Sequence, residues 1–250
     1  MEHLTALGWV ACAFAILLTG ISKSAFAGAL GGLGIPVMAI WLSPGMAVAV
    51  MLPMLCIMDM FGIRVFWKKW SVVDLKVLLP GGIAGIVVGS FALGMLSDQA
   101  TKGIIGAIAV LFMCDRLFGI RDKLRMNGMP GSKTGVVCGV LAGITSTMAH
   151  AGGPPFLIYL MGRRLPKETF VATATIFFTT LNAVKMIPYL TMGLFTKDVL
   201  WMALVFAPMA PLGVWLGLHV LRALPEKPFY LTATVMLGLS GVKLLWDAFA

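Results

Sequence analysis

Two short polar strings interrupt an otherwise apolar chain. Ser22-Lys23-Ser24 leads into a glycine-rich stretch that includes Gly31 and Gly32, and Thr145-Ser146-Thr147 leads into His150 and Gly152-Gly153. Serine and threonine hydroxyls can donate to oxyanion oxygens, and a lysine or histidine can offset negative charge. Glycines let backbone approach a bound group closely. Pro36, Pro154 and Pro155 can start short helices, whose first amides and partial positive charge also suit an anion. Asn182 and Lys185, three apart, share one helix face and can reach the same place. The chemistry these residues support is non-covalent binding of a small anion, with Asp59 and His150 as candidates to carry a coupling proton.

Each residue also has a plainer reading. Small residues permit close helix packing in a bilayer, Lys23 can snorkel toward an interface, and His150 can be a hydrogen-bonded structural side chain. Asp59 can sit in a structural ion pair, although Arg64, five residues on, need not be its partner. Arg64 itself reads as an interfacial anchor. What favours a site is that the hydroxyl cluster occurs twice, each time beside a glycine- and proline-broken segment.

Other chemistries lack support. Ser22-Lys23 has no accompanying motif that would give a base geometry, and Gly152-Gly153-Pro154-Pro155 is no nucleophile elbow. Cys12, Cys56, Cys114 and Cys138 are dispersed through apolar segments, as packing residues are, and the three histidines are scattered, so no metal or other cofactor is expected. The 18 methionines form no cluster with His or Cys ligands that would hold copper. An enzyme is therefore not expected.

The elements that position these residues are membrane helices. The 250 residues are 60% hydrophobic and 12% charged, with a mean hydropathy of +0.98, which excludes an ordinary soluble domain. Strand-like alternation is missing, so the expectation is an all-α polytopic protein rather than a barrel. The formal charge of +9 lies in short loops between apolar runs and reads as topology-setting charge, not as a nucleic-acid surface. Most tryptophans flank those runs, as in an interfacial belt. Met1-Glu2-His3 lacks the basic region of a cleaved signal, so the run from Leu4 to Ile21 is read as the first span.

An internal repeat is also legible. Pro80, Gly85 and Gly89 fall on Pro208, Gly213 and Gly217 at equal spacing; upstream, Gly20-Ile21-Ser22 falls on Gly143-Ile144-Thr145, Arg64 on Lys185 and Asp74 on Asp198. The chain divides into a first repeat at 1–120, a basic cytoplasmic linker at 121–133 and a second repeat at 134–250. Each half contains a long span, a short broken one and three more long spans: about 4–21, 28–42, 46–66, 75–96 and 100–119, then 134–149, 152–162, 169–191, 198–221 and 228–246. About eight long transmembrane helices plus two short broken ones result. If both short segments complete a crossing, the clusters at Arg64, Lys68 and Lys69, at Arg121 to Lys133, at Arg163 to Lys167 and at Arg222 and Lys227 all face the cytoplasm. The repeats are then inverted and both termini lie outside. Paired broken segments in two such halves are where transporters place substrate.

These features together resemble the TauE/SafE family of sulfite exporters, or anion permeases. The resemblance rests on Ile21-Ser22-Lys23-Ser24 with the following glycines and Ile35-Pro36, on Gly152-Gly153-Pro154-Pro155 with Tyr159-Leu160, on Asn182 and Lys185 before Tyr189 and Gly193, and on both proline repeats. It implies an integral membrane transporter that moves sulfite or organosulfonates; with the paired broken segments, the expectation is a multi-pass exporter of the bacterial inner membrane that works by alternating access, with protons as the coupling ion. Ser22, Lys23, Ser24, Gly31, Gly32, Ser146, Thr147, His150, Gly152, Gly153, Asn182 and Lys185 would form its substrate site. The partners expected are a small anionic substrate and the lipid bilayer, with no nucleic acid and room for a homo-oligomer. Family members are more glycine-rich after the Ser-Lys pair, where this chain has Ala25-Phe26-Ala27, and Ala149-His150 precedes the second Gly-Gly. Rival readings are a passive anion channel and a membrane-embedded enzyme or assembly factor.

Overall fold

A computed structural model of the protein describes residues 5–29, 34–92, 110, 113, 114 and 129–249. Among these residues every regular element is a helix: α1 (Ala6–Phe26), α2 (Gly34–Met38), α3 (Pro44–Val65), α4 (Val72–Ala92), α5 (Ser132–Ala149), α6 (Gly153–Gly162), α7 (Lys167–Thr191), α8 (Lys197–Phe206), α9 (Met209–Ala223) and α10 (Glu226–Phe249). Gly31, Gly32, the expected span 100–119 apart from residues 110, 113 and 114, and the linker up to residue 128 lie outside the described residues.

Local chemistry sets several boundaries. Thr5 accepts from Gly8 N to open α1, Ser43 accepts from Met46 N ahead of Pro44 to open α3, and Thr196 accepts from Val199 N to open α8. The expected breaks begin later than the polar strings. Ser22-Lys23-Ser24 is still helical within α1 and Thr145-Ser146-Thr147 within α5, because serine, threonine and lysine are tolerated in a helix and neither string holds a strong helix breaker. The chain turns at Ala27 (φ 53°) and at His150 (φ 50°), both in the left-handed region. Gly28 N then donates to Ser22 O, and Ala151 N donates to Thr145 O, closing the two ends in the same way. The first short helix is Gly34–Met38 among the described residues, which leave out 30–33 of the expected 28–42; the second, Gly153–Gly162, falls close to 152–162. The expected span 198–221 is two helices, α8 and α9, bent by 43° at Ala207-Pro208.

Helices α1, α4 and α7, and residues Gly45–Val65 of α3, are long and apolar enough to cross a membrane; α8 and α9 pass that test together as one bent pair. The described part is thus an all-helical membrane protein with four to five such spans. Large apolar side chains, among them Leu7, Val10, Phe14, Val87, Phe91 and Leu204, are exposed on its outside. Buried polar residues such as Thr19, Asp59, Thr145 and Lys185 lie within, the arrangement lipid demands.

Two helix pairs pack through glycine. On α4, a Cβ placed on Gly85 would lie 2.2 Å from Val140 O and 3.0 Å from Gly143 Cα of α5; on α9, one on Gly213 would lie 2.9 Å from Leu17 O and 3.1 Å from Gly20 Cα of α1. One turn on, Gly89 faces Ile144 and Thr147, and Gly217 faces Ile21 and Ser24. These contacts follow the register in which Gly20-Ile21-Ser22 falls on Gly143-Ile144-Thr145. At one end of the molecule, Lys69 pairs with Glu168 (2.8 Å) and Arg163 with Asp74 (2.7 Å), while Lys167 Nζ donates to Leu221 O and Leu224 O at the end of α9. The basic groups around residues 69, 163–167 and 222 therefore gather at that end.

Candidate functional site

The two breaks touch. A Cβ on Gly153 would lie 2.4 Å from Gly28 O, so the start of α6 rests on the turn that follows α1, and the pair has room for backbone alone. Beside this contact is a cavity with about 400 Å³ of unfilled space, counting its mouth, lined by Thr19, Lys23, Gly28, Leu55, Ser146, His150, Gly153, Phe178 and Asn182. Both polar strings, both breaks and α7 contribute to its wall.

On one side, Lys23 Nζ lies 2.6 Å from Asp59 Oδ1, and Asn182 Nδ2 donates to Asp59 Oδ2 at 2.7 Å. Lys23 thus neither snorkels nor stands alone; it is buried against a carboxylate on α3. The Lys23 contact is held by charge more than direction, since Oδ1 makes no well-aligned hydrogen bond.

On the other side, Lys185 is wholly buried, and its Nζ reaches Ser146 O (3.1 Å), Ser146 Oγ (2.9 Å) and His150 Nδ1 (2.9 Å). Three acceptors match the three N–H bonds of an ammonium. His150 Nε2 lies 3.0 Å from Val48 O, a carbonyl that can only accept, so the network assigns the ring proton to Nε2 and leaves Nδ1 to accept from Lys185. The imidazole is therefore neutral while Lys185 is charged. Tyr189 donates to Thr147 O (2.9 Å) and closes this side.

Asn182 and Lys185 thus serve different ends of the cavity from one helix, Asn182 turned to Asp59 and Lys185 to His150. Among the expected site residues, Lys23, Ser146, His150, Gly153 and Asn182 line the cavity; Lys185 stands one side chain behind it, and Ser22, Ser24, Thr147 and Gly152 are buried in the walls around it. Ser24 and Thr147 pack against the glycines of α9 and α4, and Thr147 Oγ1 is committed to Gly143 O. Arg64, expected to correspond to Lys185, is exposed.

The expected fan of helix-start amides is thin. Of the first three residues of α6, Gly153 alone carries an N–H, because the next two are prolines. An anion here meets side chains first.

Thr19, Leu55 and Phe178 were missed from sequence. Thr19 had a signal, lying one helical turn before Lys23; its hydroxyl donates to Ala15 O, leaving its lone pairs toward other donors. Leu55 and Phe178 had none, since apolar wall residues look like any core. A second buried cluster was also missed: Asp74 is wholly buried and receives Ser71 Oγ (2.6 Å) and Tyr159 OH (3.0 Å) in addition to Arg163. Its presumed counterpart, Asp198, is exposed. No group of three or more His, Cys, Asp or Glu side chains capable of holding a metal occurs among the described residues.

The family model described as Sulfite exporter TauE/SafE matches residues 12–244, and the chain belongs to that family. No curated protein and no solved structure matches it. The family is one of membrane transporters.

Proposed function

We propose that this TauE/SafE family member is a secondary transporter that exports small sulfur oxyanions, sulfite or organosulfonates, from the cytoplasm by alternating access. The observation that carries this reading is the cavity at the meeting of the two breaks, walled by Lys23, Ser146, His150 and Asn182. Hydroxyl, amide and ammonium donors around one small space suit a tetrahedral or pyramidal oxyanion. In this reading residues 1–120 and 134–250 are inverted repeats on either side of the linker 121–133, with eight long spans and two short crossings. The matched glycine contacts of α4 with α5 and of α9 with α1, and the matched ends at Ala27 and His150, support it. The gathering of basic residues at one end supports the inverted sense; that end then faces the cytoplasm of a bacterial inner membrane and both termini lie outside.

Rocking of one repeat against the other would expose the cavity to each side in turn. Protons are the coupling ion in this scheme. Asp59 is well placed to carry one, because neutralising its carboxyl would release Lys23; the proton shared by Lys185 and His150 is the alternative store.

Proteoliposomes loaded with labelled sulfite, taurine or methanesulfonate test this. Efflux that responds to an imposed proton gradient and disappears in Lys23→Met is expected. Absence of efflux for all three, with or without the gradient, would defeat the proposal, and efflux that never concentrates substrate under a gradient would make the protein a channel.

A further inference from the structure

The charges around the cavity can be counted, and we infer that the site, with Asp59 ionised and Lys185 protonated, is built for an anion carrying a single negative charge and rejects a dianion of the same size. The inference rests on the anion-binding reading and narrows it. The ionisable side chains that meet at the site are Lys23, Asp59, His150 and Lys185, together with the thiol of Cys56, which adds no charge while protonated. Lys23 and Asp59 cancel at 2.6 Å. Lys185 donates to three neutral acceptors and has no carboxylate partner among the described residues, and its use of His150 Nδ1 holds the imidazole neutral. The remaining polar neighbours, Thr19, Ser146, Asn182 and Tyr189, carry no charge. One positive charge is left over, wholly buried, directly behind the wall formed by Ser146 and His150.

A buried charge without a counter-charge is costly, so the site gains most from a ligand that supplies one unit and no more. A monoanion resting against Ser146 and His150 neutralises the assembly. A dianion leaves one negative charge stranded in the same low-dielectric space, and can be matched only if Asp59 is neutralised and Lys23 is freed. Asp59 thereby sets the preferred valence without being required to touch the ligand. Ligand geometry alone would not draw this distinction, since the hydroxyl and amide donors treat a sulfonate and a sulfate alike.

Methanesulfonate and sulfate are close in shape and differ by one charge, so their binding to the purified full-length protein at neutral pH isolates the effect. Calorimetry or ligand-induced thermal stabilisation should show methanesulfonate binding tighter by at least about tenfold, the order expected when one buried charge goes unmatched. Asp59→Asn, which keeps the side-chain volume and raises the site to two positive charges, should move the ratio toward sulfate by at least about tenfold. Lys185→Gln should abolish the binding of methanesulfonate. Equal binding of the two ligands, or tighter binding of sulfate, by the wild-type protein overturns the inference while leaving an anion site standing. Binding of neither ligand defeats the anion reading together with the inference. Because the wild-type ratio can overturn the inference by itself, a variant that fails to fold does not shield it; a folded Asp59→Asn whose ratio is unchanged also overturns it.

Discussion

Asp59 stands between a lysine and an asparagine, and what happens on losing it depends on what is left behind. Lys23→Met strands the carboxylate with Asn182 as its remaining partner, and Asp59→Leu strands an ammonium; each should destabilise the protein by about 3–5 kcal/mol, the usual cost of an orphaned buried charge. The double substitution removes both charges and should recover most of that loss. Unfolding midpoints of the three variants in mixed micelles check this: a double variant no more stable than the singles would mean that Asp59 depends on partners other than Lys23. Sequence could mark both residues as costly in a membrane but could not pair them, because they lie on α1 and α3 with the short helix α2 between. The same limit hid Asp74, Tyr159 and Arg163. Burial of an ion is a property of neighbours brought in from elsewhere in the chain, which is also why Arg64 and Lys185, read as equivalents, differ so much: one ends α3 at the surface and the other, on α7, is buried against the end of α5.

Helix contacts through glycine were the part of the fold most open to prediction, since a small residue repeated every fourth position marks a face where backbones meet. Gly85 and Gly89, and Gly213 and Gly217, read from sequence only as marks of an internal repeat, lie on the contacting faces, and the structure supplies their partners and spacing. The two interfaces are unequal in tightness. A Cβ on Gly143 would fall 2.1 Å from Gly82 O, whereas the nearest atom to one on Gly213 is 2.9 Å away. Gly143→Ala should therefore cost more than Gly213→Ala, by about 1–3 kcal/mol, and melting temperatures of the two variants would show the order; the reverse order would place the rigid contact between α1 and α9. Helix ends were harder to read. Glycines and prolines located the breaks to within a few residues, but the last turns of α1 and α5 run on through serines and threonines, because only a left-handed residue stops them, whereas the first expected span stopped at residue 21, short of its string.

Whole-molecule orientation can be tested from where the basic groups collect. If the repeats are inverted, a cysteine placed at exposed Ser43 and another at exposed Arg164 must label from opposite sides of the membrane in an otherwise cysteine-free protein. Labelling from the same side would make the short segments re-entrant and the repeats parallel. The positive charges made this choice legible from sequence, whereas their gathering around Glu168, Asp74 and the end of α9 needed three dimensions. The buried ammonium of Lys185 also bears on how the protein is made. A lysine at mid-helix opposes bilayer insertion by about 2.5–3.5 kcal/mol, but α7 emerges from the ribosome after α5 and α6, so Ser146 and His150 are already present to receive it. Lys23 has no such provision: α1 is synthesised before the carboxylate it needs, and its charge must be carried by water or by the insertion machinery until α3 arrives.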